Sequence, residues 1–393
     1  MTKPPIKKII YSLISLILFS YLVYLFNVAS LLPPVKTNPN PGEKEIVGVF
    51  HLHTRYSDGR GQIGDLVKAA RYHQLDFIIL TDHGRPNYAC LQSQGWREGI
   101  LVLAGSELST SRGHLVALAI PDSISPIPRI AEEAARFIQK EGGFTIIAHP
   151  YSKTSWTWGM ENEIYTGLEL IDADTMLKKR WPSLWPYLPF LLFNQRAFAL
   201  KMLTPFPSPF RQWDFLNQTN PPIYGFFSCD AHLMYKTLLN LFCLRLPLEK
   251  KLPSEFHASR NLVFEALRKG NFYNSIDAVQ PAIGFKFWAE KGKQIYPMGS
   301  IIEIFPNETI RLKIRRPESV AAEIYLLYNG KKILASFDQE INYQPIQPGV
   351  YRVEVYLRER SILPKNIPWI VSNPLFIRMA KNDSHTLQPT TSF

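Results

Sequence analysis

Cysteine is scarce: Cys90, Cys229 and Cys243 are the only three in 393 residues, and no two stand at the spacing of a zinc clip or a disulfide framework. Disulfide stapling is therefore not indicated, and the redox compartment stays open on cysteines alone. No segment repeats, which argues against solenoids and propellers. Acidic residues are in deficit, 33 against 44 Lys and Arg, for a net charge of +11. That balance suits an anionic substrate or an anionic membrane surface, although a solvated basic face is the commoner cause. With 46% hydrophobic and 20% charged residues, composition is that of an ordinary globular chain, long enough for two soluble domains and an anchor.

Charge is absent altogether over the 24 residues from Ile9 to Leu32, which come after Lys3, Lys7 and Lys8. Such a run spans a bilayer, and the positive-inside rule puts residues 1–8 in the cytoplasm and the remainder outside. A cleaved signal is the alternative, because Val28-Ala29-Ser30 offers small residues at a cleavage position. Either way, the chain beyond residue 33 leaves the cytoplasm. Pro33, Pro34, Pro39, Pro41 and Gly42 then make residues 33–44 a stiff linker.

From residue 45, apolar runs of strand length (47–54, 76–83, 100–108, 114–120, 144–149, 167–171 and 224–230) alternate with helix-period segments. Ile63, Leu66, Val67, Ala70 and Leu75 mark one helical face; Ile130, Ala134, Phe137 and Ile138 mark another. The pattern predicts a parallel, barrel-like α/β domain over 45–280. Residues 176–222 interrupt it with eight prolines, ten aromatics, six basic residues and the single acid Asp214, and read as an insertion. After residue 281 short strands between Pro, Gly and Asn turns predict a separate β-sandwich-like domain to 380, and the polar residues 381–393 read as a disordered tail.

The chemistry concentrates at the ends of the runs. His51 and His53, at i and i+2 on a strand, share a face and can reach one metal, with Asp58 in the adjoining loop. A lone His-x-His is weak evidence. Here, however, Asp82-His83, Glu107, His149 and Asp230-Ala231-His232 close other runs, where parallel α/β barrels collect active-site residues, and His114 opens the fourth. Six of nine histidines fall on these positions, whereas His73, His257 and His385 do not.

These residues resemble the PHP (polymerase and histidinol phosphatase) family over roughly residues 46–275. His51-x-His53 with Asp58 is similar to its first motif, Asp82-His83 to the second, His149-Pro150 to the third and Asp230-x-His232 to the fourth, with Glu107 and His114 between the second and third. The resemblance implies a distorted (β/α)7 barrel and two to three divalent ions, zinc, manganese or iron. It implies as ligands His51, His53, Asp58, His83, Glu107, His114, His149, Asp230 and His232, with Glu107 as the bridge. Cys229 departs from the serine often found before the last Asp. The β domain after 281 is similar to the subgroup that includes carbamate-hydrolysing members.

The expected activity is metal-dependent hydrolysis, a phosphoesterase in the first instance, with metal-activated water as nucleophile. Asp230 or Asp82 would move the proton, or Asp82 would instead orient a ligand imidazole. A carboxylic ester, amide or carbamate hydrolase at the same cluster stays open, as does a non-catalytic cell-surface binding module. Arg55, Arg85, Arg112 and Lys153 stand near proposed ligands and are candidate contacts for an anionic ester. Nucleic-acid processing fits poorly with an extracytoplasmic domain. The insertion, headed by Lys178-Lys179-Arg180, is expected to cover the site as a lid and select the substrate; resting on anionic lipid through Trp181, Trp185 and Tyr187 is the alternative.

Overall fold

A computed structural model describes residues 6–32, 45–152, 155–159, 164–205, 207–219, 222–248, 251–318, 320–358 and 362–380. The linker, the tail and Lys153 lie outside them. Most of the uncharged run lies in α1 (Ile6–Ala29), which also takes in Lys7 and Lys8 at its start and is an apolar helix long enough to cross a membrane. Most of its side chains face outward; Leu25 and Val28, near its C-terminal end, are buried against the rest of the chain.

The apolar runs become strands and the periodic segments helices: β1 (Ile46–Leu52), α2 (Ile63–Tyr72), β2 (Phe77–Leu80), α3 (Tyr88–Leu91), β3 (Gly95–Arg97), β4 (Ile100–Ala104), β5 (Ser106–Thr110), β6 (Gly113–Leu118), α4 (Ala131–Lys140), β7 (Phe144–Ile147) and β8 (Gly167–Asp172). After four insertion helices, α5 (Ala173–Arg180), α6 (Phe190–Phe193), α7 (Gln195–Met202) and α8 (Pro207–Thr219), come β9 (Tyr224–Ser228), α9 (Tyr235–Leu238), β10 (Cys243–Leu246), α10 (Phe256–Arg268) and β11 (Tyr273–Ser275). Ile63, Leu66, Val67 and Ala70 of α2, and Ala134 and Ile138 of α4, are buried, as their 3.6-residue period predicts; of the expected α4 face, Phe137 is half-buried and Ile130, at the cap before the helix, is exposed.

Strands β1, β2 and β4 pair in parallel, as do β7, β8 and β9. Gly105 alone separates β4 from β5. Beyond the end of β9, Cys229 N–H donates to Phe50 O (3.0 Å) and His53 N–H to Ala231 O (3.1 Å), so the last strand of one sheet meets the first strand of the other. Alternate residues of these strands, among them Phe50, Ile79, Leu103, Val116, Ile146 and Phe226, share one buried apolar cluster. It fills the space below the strand ends.

Two sequence expectations change. The run at 114–120 is expected in a parallel sheet, but β6 is antiparallel to both β5 and β7. The physical reason is the two-residue link Ser111-Arg112: a hairpin turn fits in that length and a parallel crossover does not. Nor does hydrogen bonding break near residue 281. The strand Ile370–Ser372 pairs with β11, so the later strands extend the sheet that contains β1, while a second, four-stranded antiparallel sheet lies beside them. Backbone pairing leaves no compositional mark from which that continuity could be read. The fold is mixed α/β.

The insertion contributes most of its contacts sideways. Arg196 donates to Ala278 O and Val279 O, and Asp214 receives a two-pronged hydrogen bond from Arg352 (2.6 and 2.8 Å). Lys179 Nζ donates to Tyr151 O (3.1 Å), next to His149-Pro150.

Candidate metal centre

Three strand ends turn abruptly. His51, His149 and Asp230 adopt left-handed backbone, with φ of +67°, +26° and +44°. For non-glycine residues such conformations cost on the order of 1–3 kcal/mol each and persist where the surroundings over-determine them. The β1–β2 register also shifts between Val49 and Leu52. Both features re-aim side chains that a regular pleat would direct elsewhere.

The structure brings all nine sequence-predicted ligands together in three overlapping groups: His53, Asp58, His83 and His232; His51, Glu107, His149 and Asp230; and His83, Glu107 and His114. The antiparallel β6 explains His114. Its first residues lie at the same end as the last residues of the parallel strands, so a histidine opening that strand joins acids and histidines closing the others.

Glu107 stands at the centre. Its Oε1 lies 2.7 Å from His114 Nδ1 and 2.8 Å from His149 Nε2; its Oε2 lies 3.2, 3.1 and 3.4 Å from His51 Nε2, His53 Nε2 and His83 Nδ1. Asp230 Oδ1 is 3.5 Å from His51 Nε2 and 3.3 Å from His53 Nε2, and Asp58 Oδ2 is 3.1 Å from His232 Nε2. His51 Nε2, His53 Nε2 and Glu107 Oε2 are buried and make no hydrogen bond. Buried polar atoms without partners are rare, and three that converge suit a shared third body. Imidazole nitrogens and carboxylate oxygens are the donor set of zinc, manganese and iron sites. The residues therefore fit divalent ions.

Electrostatics point the same way. Burial would push the Glu107 carboxyl up, but the surrounding histidines hold it well below the usual range. Burial opposes charge on His51 too, yet Glu169, Glu107 and Asp230 raise its pKa well above normal; His149, under the same opposition, is raised to about 9 by its hydrogen bond to Glu107 and by Asp230, Glu107 and Glu169. The pocket is built to hold positive charge.

Two further buried carboxylates brace the cluster, Glu169 through candidate ligands themselves and Asp82 through the loop beside them rather than through an imidazole. Glu169, fully buried on β8, lies 2.5 Å from His51 Nδ1 and accepts from His149 N–H at 2.6 Å. A proton on Nδ1 shared with Glu169 leaves Nε2 as the donor atom facing Glu107. Sequence reasoning missed Glu169; its signal was a lone acid inside the apolar run 167–171. Asp82 is buried and accepts from Thr54 N–H (2.7 Å), Thr54 Oγ1 (2.8 Å) and Ser57 Oγ (2.7 Å), pinning the loop that carries Asp58.

The candidate substrate residues are dispersed. Arg85 donates to Ser109 O and Ile127 O, Arg112 pairs with Glu132 and donates to Thr157 O, and Arg55 donates to Arg60 O. Among the described residues, the insertion leaves part of the rim exposed: the side chains of Asp58, His83, His114 and His232 are 52%, 32%, 22% and 22% exposed.

No protein-family model matches the chain, and no curated protein matches it. Among solved structures, the chain is similar to a two-domain protein from Bacteroides vulgatus ATCC 8482 containing a predicted PHP-like metal-dependent phosphoesterase, at 14% identity and a TM-score of 0.43, over 88% of this chain and 99% of that one. It is also similar to a protein from Bifidobacterium adolescentis ATCC 15703 named as a metal-dependent phosphoesterase, at 14% identity and a TM-score of 0.27, over 48% of this chain and 88% of that one.

Proposed function

We propose that this chain is a membrane-anchored, metal-dependent phosphoesterase of the PHP type, its active site at the end of a distorted (β/α)7 barrel and outside the cytoplasm. The observation that carries the reading is the convergence of nine imidazole and carboxylate side chains, the buried Glu107 at their centre. In this reading the ring of strands from β1 to β9 is the barrel. Its three ligand groups would hold up to three divalent ions, with Glu107 shared by two of the groups. Divalent ions held there would supply Lewis acidity toward a scissile ester oxygen and would lower the pKa of water toward neutral.

The chain's own residues do the rest. Glu169 fixes the ring of His51, and Asp82 holds the Thr54–Ser57 turn so that Asp58 faces His232. Asp230, buried and drawn toward His51 and His53, is placed to hold its negative charge against the reacting group. The chain's net +11 suits an anionic ester.

The test is elemental analysis of the purified full-length chain after loading with zinc or manganese, and then a panel of phosphomonoesters, phosphodiesters, carboxyl esters and carbamates. More than one ion per chain and turnover of a phosphoester are expected. One ion or fewer, or turnover confined to carboxyl esters or carbamates, overturns the reading.

A further inference from the structure

The insertion meets the anchor helix below its end. Tyr21 Oη donates to Pro186 O (2.7 Å), the hydroxyls of Tyr24 and Tyr187 lie 2.7 Å apart with ring centroids at 6.3 Å, and Leu25 and Val28 of the same stretch are buried. Ala29 lies eight positions beyond Tyr21, a rise of about 12 Å, and the 24-residue helix is about 36 Å long. Centred on a hydrocarbon core of about 30 Å, the helix extends roughly 3 Å past the core, so the Tyr21–Pro186 contact lies about 9 Å inside the boundary.

Around this contact the insertion turns large apolar side chains outward. Trp181, Trp185, Leu192 and Phe193 are 49%, 70%, 90% and 61% exposed. Acidic side chains are absent from 176–222 except Asp214, which is bound to Arg352. The basic residues Lys178, Lys179 and Arg180 stand just before Trp181, on the rim side of the segment, where Lys178 pairs with Asp174 and Lys179 donates to Tyr151 O. Tryptophan beside outward leucine and phenylalanine, with basic residues on one flank, is the arrangement of segments seated about 5–10 Å into the headgroup and acyl boundary.

We propose that Trp181–Phe193 is a membrane-embedded wedge, docked on α1 within the outer part of the bilayer. The occupant of this surface is lipid: acyl chains around Trp185, Leu192 and Phe193, and anionic headgroups at Lys178-Lys179-Arg180. The helix α5 joins the wedge directly to Asp172 at the end of β8 and is about 12 Å long for its eight residues. The wedge therefore seats the ligand rim at the bilayer surface rather than at the end of a free tether. The lipid contact stands whether or not the site is a hydrolase; the placement of an active site at the surface rests on that reading.

The test uses the full-length chain in vesicles of zwitterionic and anionic phosphatidyl lipids, with one cysteine introduced at a time and labelled with a fluorophore. Trp185→Cys and Leu192→Cys probe the wedge, and Ile346→Cys, 87% exposed in the C-terminal part, is the reference. The three native cysteines are buried. Labels at 185 and 192 should be quenched several-fold more by lipid-borne nitroxide than by aqueous iodide, with the opposite ranking at 346. Iodide dominating at 185 and 192 overturns the wedge in favour of a solvent-facing loop, and protection from both quenchers overturns it in favour of a second protein copy. Metal content measured on the same vesicles separates failure of the wedge from failure of the hydrolase reading.

Discussion

Glu169 makes the sharpest residue-scale prediction, because it touches two ligands without belonging to the set of nine. Glu169→Gln keeps volume and removes the charge that fixes the His51 tautomer; zinc affinity should fall about 10–100-fold, with the metal-free unfolding midpoint little changed. Unchanged affinity by competition with a chromophoric chelator would assign Glu169 a purely structural role. His149 adds a pH dependence. Raised to about 9, it stays protonated in the folded, metal-free chain at pH 7 to 8, and a metal needs the neutral ring. Zinc binding should therefore release a proton and tighten by up to about tenfold per pH unit in that window, with the gain from this group ending above pH 9. Calorimetric heats that do not change between buffers of different ionisation enthalpy would contradict it. That these nine side chains would cluster was legible, because histidines and acids at the ends of apolar runs mark positions where strand ends meet. Glu169 was not, because an acid inside a run reads as a local irregularity until its partners, brought from 20 and 118 residues away, are known.

At the scale of elements, the site depends on how closely β5 and β6 approach. Gly105, between β4 and β5, allows that approach: a Cβ there would stand 2.2 Å from Ala117 O and 2.6 Å from the Leu118 side chain. A backbone carbonyl in a paired strand cannot step aside as a flexible side chain can. Gly105→Ala should destabilise the fold by about 1–3 kcal/mol or more and, by shifting β5, separate Glu107 from His114 and lower the bound metal per chain. A variant with the wild-type denaturation midpoint and full metal content would show that the strands can give. Strand existence was legible here from apolar runs and turn residues, and helix faces from their period. Strand direction was hidden in a detail of length, the two residues between Thr110 and Gly113. The pairing of β11 with Ile370–Ser372, almost a hundred residues apart, left no local trace at all.

The whole molecule is tied together through charge buried between the insertion and the C-terminal sheets. Arg352 grips Asp214 of α8 with two nitrogens and reaches Glu354 with a third contact of 2.5 Å; all three residues are buried. Burial opposes the charge on Arg352, but Glu354 and Asp214 together raise its pKa still further, so it stays a cation under all ordinary conditions. Its removal from water is offset only while both carboxylates remain. Asp214→Ala strands part of that charge, and breaking a buried pair in this way costs about 3–5 kcal/mol, reduced here toward the lower end because Glu354 remains. Asp214→Leu combined with Arg352→Met and Glu354→Gln removes all three charges, leaves position 354 an oxygen to accept from Tyr356, and keeps apolar volume beside Phe210 and Trp213, over whose rings the guanidinium lies at 5.7 and 5.2 Å. Chemical denaturation of the full-length chain in detergent should therefore rank the triple variant above Asp214→Ala in stability. The reverse order would mean that the pair holds the insertion in register rather than merely neutralising a buried cation. In that event, loosening it should also free the segment that docks on α1, and the Tyr24–Tyr187 contact would be the first to report the change.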